Sequence, residues 1–153
     1  MHPWIFNLGA ILTGVAGLLG ALGLFHAFRS ETSVLIAGLI GISVFVTGVM
    51  SVKAGLFPMP DPRHGSWAFL SFLTIAGPLL FLFGLWKRQG SAAVRIYLAA
   101  SVLLILFLLP LLMGRFASEI LLPGMPQRLL AFASFAPIGV VAYHLANTAG
   151  KRA

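Results

Sequence analysis

Five stretches of apolar side chain, at about residues 4–28, 34–57, 66–86, 92–113 and 129–145, fill most of this sequence. Each approaches the ~20 residues that a helix needs to cross a bilayer, and the polar segments between most of them are short. A 59% hydrophobic, 8% charged composition supports the same reading, since soluble chains hold about 45–50% apolar and about 25% charged residues. The expected fold is all-α, an integral membrane helical bundle of about five transmembrane helices forming a single domain over residues 1–153, with no room for a separate soluble domain. No Lys or Arg precedes the first apolar run, and that run exceeds the about 7–15 residues of a signal-peptide core, so it is expected to be retained as a span.

Small residues set how such helices pack. The first stretch spreads Gly9, Gly14, Gly17, Gly20 and Gly23 among Leu, Val and Ala, with pairs such as Ala10 and Gly14, or Gly17 and Ala21, spaced to let a neighbouring helix approach. The second repeats the habit at Gly38, Gly41 and Gly48. Trp4 and Trp67 stand where interfacial anchors are expected, and Lys53 can snorkel to the headgroups. Ser66 is the expected N-cap of the third span. Pro78 and Pro137 fall mid-span and Pro110 in a last turn, where kinks are expected. Pro123, Gly124 and Pro126 read as helix stops in the connection Gly114 to Arg128.

One segment cannot be helical. GLFPMPDPRHG, Gly55 to Gly65, places Pro58, Pro60 and Pro62 in five residues, which removes donors and fixes φ. It also gathers Asp61, Arg63 and His64, in a chain with only three carboxylates.

The formal charge of +7 is scattered over inter-helix segments and not collected on one face, so it reads as topology signal and lipid-headgroup contact, with no nucleic-acid partner. With the N-terminus outside, Arg29, Lys87, Arg88, Arg95, Lys151 and Arg152 face the cytoplasm, against Lys53, Arg63, Arg115 and Arg128 outside. Six against four places the proline loop outside and the C-terminus in the cytoplasm of a multi-pass cell-membrane protein, expected in a bacterial inner membrane. The chain has no cysteine, which excludes disulfides and thiolate ligands.

The loop GLFPMPDPRHG after a Gly-rich span, with PWIFNLGAILTG at Pro3 to Gly14 before it, resembles the prokaryotic multi-pass membrane family of domain of unknown function 998. The resemblance covers nearly the whole chain and implies a helical membrane bundle, with no established activity. Members usually have about six spans, with a further N-terminal helix and a Ser-Glu-containing loop before the segment aligned with Pro3, so this chain reads either as an abbreviated member or as one given a late start codon. Pro60 also stands between Met59 and Asp61, which shifts the acid relative to the commoner pattern.

Three functional readings follow. The first is a structural, lipid-interacting or partner-associated membrane component, with membrane lipids and a membrane-protein partner or second copy as its contacts; here Asp61 serves turn geometry or pairs with Arg63 or Arg115, and His64 caps a helix. The second is a membrane-embedded metal-assisted hydrolase or lipid-modifying enzyme, in which Asp61 and His64 hold a metal ion and Glu119 (or His2) completes the catalytic group. Two ligands alone are too few, so Glu119 must approach the loop. The third is a b-type haem or quinone-binding subunit with His26 and His144 as axial ligands. No nucleophile elbow, phosphate-binding loop or H-E-x-x-H motif is present, and the spans lack the carboxylates of an ion-coupled transporter. No particular cofactor follows from the sequence.

Overall fold

A computed structural model describes residues 3–64, 66–113 and 125–149. Among them are five α-helices and no strand: α1 (Pro3–Arg29), α2 (Val34–Leu56), α3 (Ser71–Gly84), α4 (Ala92–Met113) and α5 (Met125–Ala149), with a 3-10 turn, Ala68–Leu70, leading into α3. The fold is all-α, as the apolar runs require. Four helices are long and apolar enough to cross a membrane, and α3 is a shorter apolar helix. The chain divides into two compact units, residues 1–74 and 75–153.

The first unit is an antiparallel hairpin of α1 and α2 followed by the proline loop. Pro3 opens α1, where the missing N–H costs nothing. A tight turn closes on Phe28, whose carbonyl accepts from the N–H groups of Glu31 and Thr32, both at 2.9 Å. Ser33 then caps α2 by accepting from the Ile36 N–H. Glycine spacing fixes how the two helices meet. Cβ atoms placed on Gly14 and Gly48 would lie 2.6 Å from the Gly48 carbonyl and 2.8 Å from the Gly14 carbonyl respectively, and one on Gly55 would lie 2.5 Å from the Asn7 carbonyl. A Cβ on Gly41 would lie 3.6 Å from the Ala21 carbonyl, in ordinary contact, and 3.3 Å from Phe25 Cβ. Asn7, Gly14 and Ala21 thus face Gly55, Gly48 and Gly41, one matched pair every seventh residue. Backbone touches backbone at Gly14, Gly48 and Gly55, which is how membrane helices gain dispersion energy without a hydrophobic driving force. Ser51 Oγ adds a bond to the Ala10 carbonyl at 2.8 Å.

Only one of the two small-residue stripes on α1 is used in this way. Gly9, Gly20 and Gly23, with Gly38 of α2, have nothing within 4 Å of an added Cβ. The outward faces carry large hydrocarbon instead, with Leu19, Leu35 and Phe6 exposed. Such contiguous apolar surface is stable in lipid and not in water.

In the second unit α4 packs against α5, around Leu98, Ile105, Leu108, Ala133 and Val141, all buried. Gly90 has φ 73°, a left-handed turn that lets the chain reverse into α4 without a Cβ clash. Pro78, Pro110 and Pro137 lie inside helices. Pro126 differs from its expected role as a helix stop: it stands in the first turn of α5, where no intrahelical donor is needed. The third helix also begins later than the sequence suggests: Ser66 bonds back to Arg63 and Leu70 closes a 3-10 turn on Trp67 before α3 starts at Ser71.

Candidate functional site

The proline loop closes on itself. The Phe57 N–H ends α2 on the Lys53 carbonyl at 2.9 Å. Pro58 to Asp61 form a turn in which the Asp61 N–H donates to the Pro58 carbonyl at 2.9 Å, across a cis Met59–Pro60 bond. A second turn follows, from the His64 N–H to the Asp61 carbonyl at 2.9 Å. Ser66 donates from both its N–H and its hydroxyl to the Arg63 carbonyl.

Asp61 is committed to Arg63. Oδ1 accepts from the Arg63 backbone N–H at 2.8 Å and from Nε at 3.0 Å, while Oδ2 accepts from Nη2 at 2.7 Å. Hydrogen bonds from the Arg63 side chain, then from its backbone, hold the Asp61 carboxyl down at about 2, below its ordinary 3.8, and Asp61 in turn raises the Arg63 guanidinium. The guanidinium lies 4.1 Å from the centre of the Phe57 ring, a cation-π contact.

Lys53 ties this loop to α2. It is only 8% exposed, and its ammonium donates to the His64 carbonyl at 2.9 Å and to the Ser66 carbonyl. It also lies 5.7 Å from the centre of the Trp67 ring. Trp67 has φ 72°, unusual for a side chain of this size, and the Lys53 bonds to the two carbonyls just before it, with the ammonium near its ring, hold the chain there. His64 turns its Nδ1 to the Phe57 carbonyl at 2.8 Å. A carbonyl only accepts, so Nδ1 carries the proton of the neutral ring and Nε2 keeps the lone pair.

A second polar cluster lies in the other unit. Arg88, 7% exposed, donates from Nη2 to Thr148 Oγ1 at 2.7 Å, and Thr148 donates to the His144 carbonyl at 2.8 Å. Ser91, fully buried, meets His144 Nε2 at 2.9 Å. Arg95 completes the turn by donating to the Trp86 carbonyl. The segment before α4 is thereby fastened to the last turns of α5 through hydroxyl and imidazole groups.

A family model described as Protein of unknown function (DUF998) matches residues 1–144. The chain belongs to this family. No curated protein and no solved structure matches it. The DUF998 match and the four long apolar helices together make this a membrane protein.

The DUF998 loop brings Asp61 and His64 into one turn, but their side chains go to different partners, Arg63 and Phe57. Glu119, the expected third member, lies outside the described residues, as does His2. Among the described residues no group of three His, Asp or Glu side chains could hold a metal ion. His26 is exposed on α1, with its ring edge-on to Phe25. His144 belongs to the other unit, and Ser91 occupies the Nε2 that an iron would take. Sequence reasoning singled out Lys53 as a snorkelling cation and missed its grip on the loop. It also missed the Arg88–Thr148 bond, although His144 and Thr148 are four apart and so share one helix face.

Proposed function

We propose that this chain is a non-catalytic component of a bacterial inner membrane, structural and lipid-interacting, forming one multi-pass transmembrane domain over residues 1–153. The observation that supports this best is the engagement of Asp61: both carboxylate oxygens are taken by Arg63, so a metal ion or a reacting water would have to displace a bidentate, charge-assisted pair. Metal-assisted hydrolysis through Asp61, His64 and Glu119 is the poorer fit for that reason. A haem held by His26 and His144 would likewise require Ser91 to release His144. The α3 helix and its preceding 3-10 turn, together about 27 Å long, come close to the ~30 Å hydrocarbon thickness and act as the third span, which brings the number to five. With five spans the N-terminus and proline loop lie outside and the C-terminus lies in the cytoplasm. The surroundings are membrane lipids and a membrane-protein partner or a second copy.

Elemental analysis of the purified protein tests the non-catalytic reading. Less than stoichiometric metal in the wild type is expected, unchanged in Asp61→Asn and His64→Ala. Stoichiometric metal that disappears in both variants would overturn it.

A further inference from the structure

Beside the upper half of α2 runs an open groove of about 380 Å³, confined to the first unit. Its wall is hydrocarbon, from Leu18 of α1 and Val49, Val52 and Leu56 of α2. At its loop end the lining changes to Lys53, Arg63 and Trp67. An apolar slot ending in cations and an indole has the polarity profile of one lipid, chain along the hydrocarbon wall and headgroup at the charged end.

The charge at that end has a definite sign. The buried Lys53 ammonium is held by two backbone carbonyls, which supply dipoles and no compensating unit charge, and one of its three donors remains. Arg63 and Asp61 neutralise each other through Nε and Nη2, leaving the Nη1 donors of Arg63 unused by Asp61 on a 65% exposed side chain. The local sum is therefore one positive charge. Of the other two carboxylates, Glu31 lies in the turn at the far end of the hairpin and Glu119 outside the described residues. A second groove of about 320 Å³, lined by Ala21, Phe25, Gly41 and Phe45 among others, has no charged lining residue and so gives a headgroup nothing to bind.

We infer that the groove seats one acyl chain of an anionic phospholipid, with its phosphodiester received by Lys53, Arg63 and the indole N–H of Trp67. A singly negative headgroup matches the single uncompensated charge. A choline headgroup carries a cation of its own to a place where the one nearby carboxylate is already paired, and is disfavoured. This inference rests on the reading of the chain as a non-catalytic, lipid-interacting component and names the lipid class.

Trp67 is the natural reporter. In full-length protein with Trp4→Phe and Trp86→Phe, reconstituted in phosphatidylcholine vesicles, tail-brominated phosphatidylglycerol should quench Trp67 with about fivefold stronger apparent binding than tail-brominated phosphatidylcholine, the preference expected from one cation at a membrane surface. Arg63→Gln exposes the Asp61 charge, takes the local sum to zero and removes the preference. Val49→Phe fills the wall without touching any charge and lowers quenching by both lipids; if circular dichroism shows that Arg63→Gln loses helix, this second variant decides. Equal quenching by the two lipids in the wild type, an undiminished preference in folded Arg63→Gln, or unaltered quenching in Val49→Phe would each overturn the site. Loss of the lipid preference with no metal bound leaves the non-catalytic reading standing, whereas stoichiometric metal that disappears in Asp61→Asn and His64→Ala would remove that reading and this inference with it.

Discussion

Replacing Gly48 by alanine should separate α1 from α2 and destabilise the protein by about 1–2 kcal/mol. The added Cβ would meet the Gly14 carbonyl at 2.8 Å and the Leu18 N–H nitrogen at 2.9 Å, where ordinary contact begins at 3.4 Å. Both obstacles are backbone atoms of a continuous helix, so no rotamer change relieves them and the helix as a whole must move by about half an ångström, which weakens dispersion along the seam. Overpacking of this kind costs about 1–3 kcal/mol, and alanine returns up to about 1 kcal/mol through its better helix propensity. Gly23→Ala is the matched control: nothing lies within 4 Å of its Cβ, so only the propensity gain remains and its stability should equal or exceed the wild type. Unfolding followed by circular dichroism in mixed micelles of mild detergent and dodecyl sulfate gives both values. If Gly48→Ala proves as stable as Gly23→Ala, the helices do not meet at Gly14 and Gly48, and the seven-residue register is wrong.

Other outcomes follow from the two polar clusters and the topology. Asp61 is held at about 2 against an ordinary 3.8, so its pairing contributes stability that is complete above about 3.8 and is lost as pH falls through about 2; the carboxylate step in Trp67 emission of the single-tryptophan protein should therefore come as pH approaches about 2, and a step centred near 4 would contradict the Arg63 pair. Ser91→Ala removes the partner of His144 Nε2 in a fully buried position and should cost about 0.5–1.5 kcal/mol in the same unfolding assay, with unchanged stability counting against that contact. For the proposed topology, Met59→Cys and Gln89→Cys place single thiols at exposed positions, and an impermeant thiol reagent on intact cells should label only the first; labelling of Gln89→Cys alone would invert the orientation.

The helices were legible because lipid-length apolar runs admit few alternatives, and the loop because three prolines forbid a helix. Which glycines matter was not. Gly9, Gly14, Gly20 and Gly23 all have the spacing of a packing face, but a helix has two such stripes, and the choice between them depends on residues about 30 to 50 positions away, such as Gly48 and Gly55, that no local period encodes. Gly55 looked like the start of the loop and is instead the last contact of the seam, against Asn7. Arg63 stood among the readable partners of Asp61, two residues away. Lys53 looked like a snorkelling side chain because its spacing to His64 and Ser66 carries no signature: the bonds go to carbonyls, which every residue owns. The same holds for Ser51 and the Ala10 carbonyl.

The loop from Phe57 to Trp67 is a cap fastened to the α1–α2 hairpin through Lys53. Amide hydrogen exchange over that segment, in wild type and in Lys53→Met, addresses it directly. The wild type should show protected amides at Asp61, His64 and Ser66, whose N–H groups are bonded within the loop, and Lys53→Met, which frees the His64 and Ser66 carbonyls, should lose that protection while α1 and α2 keep theirs. Wild-type exchange at the rate of an unstructured peptide, or protection undiminished in Lys53→Met, would contradict it.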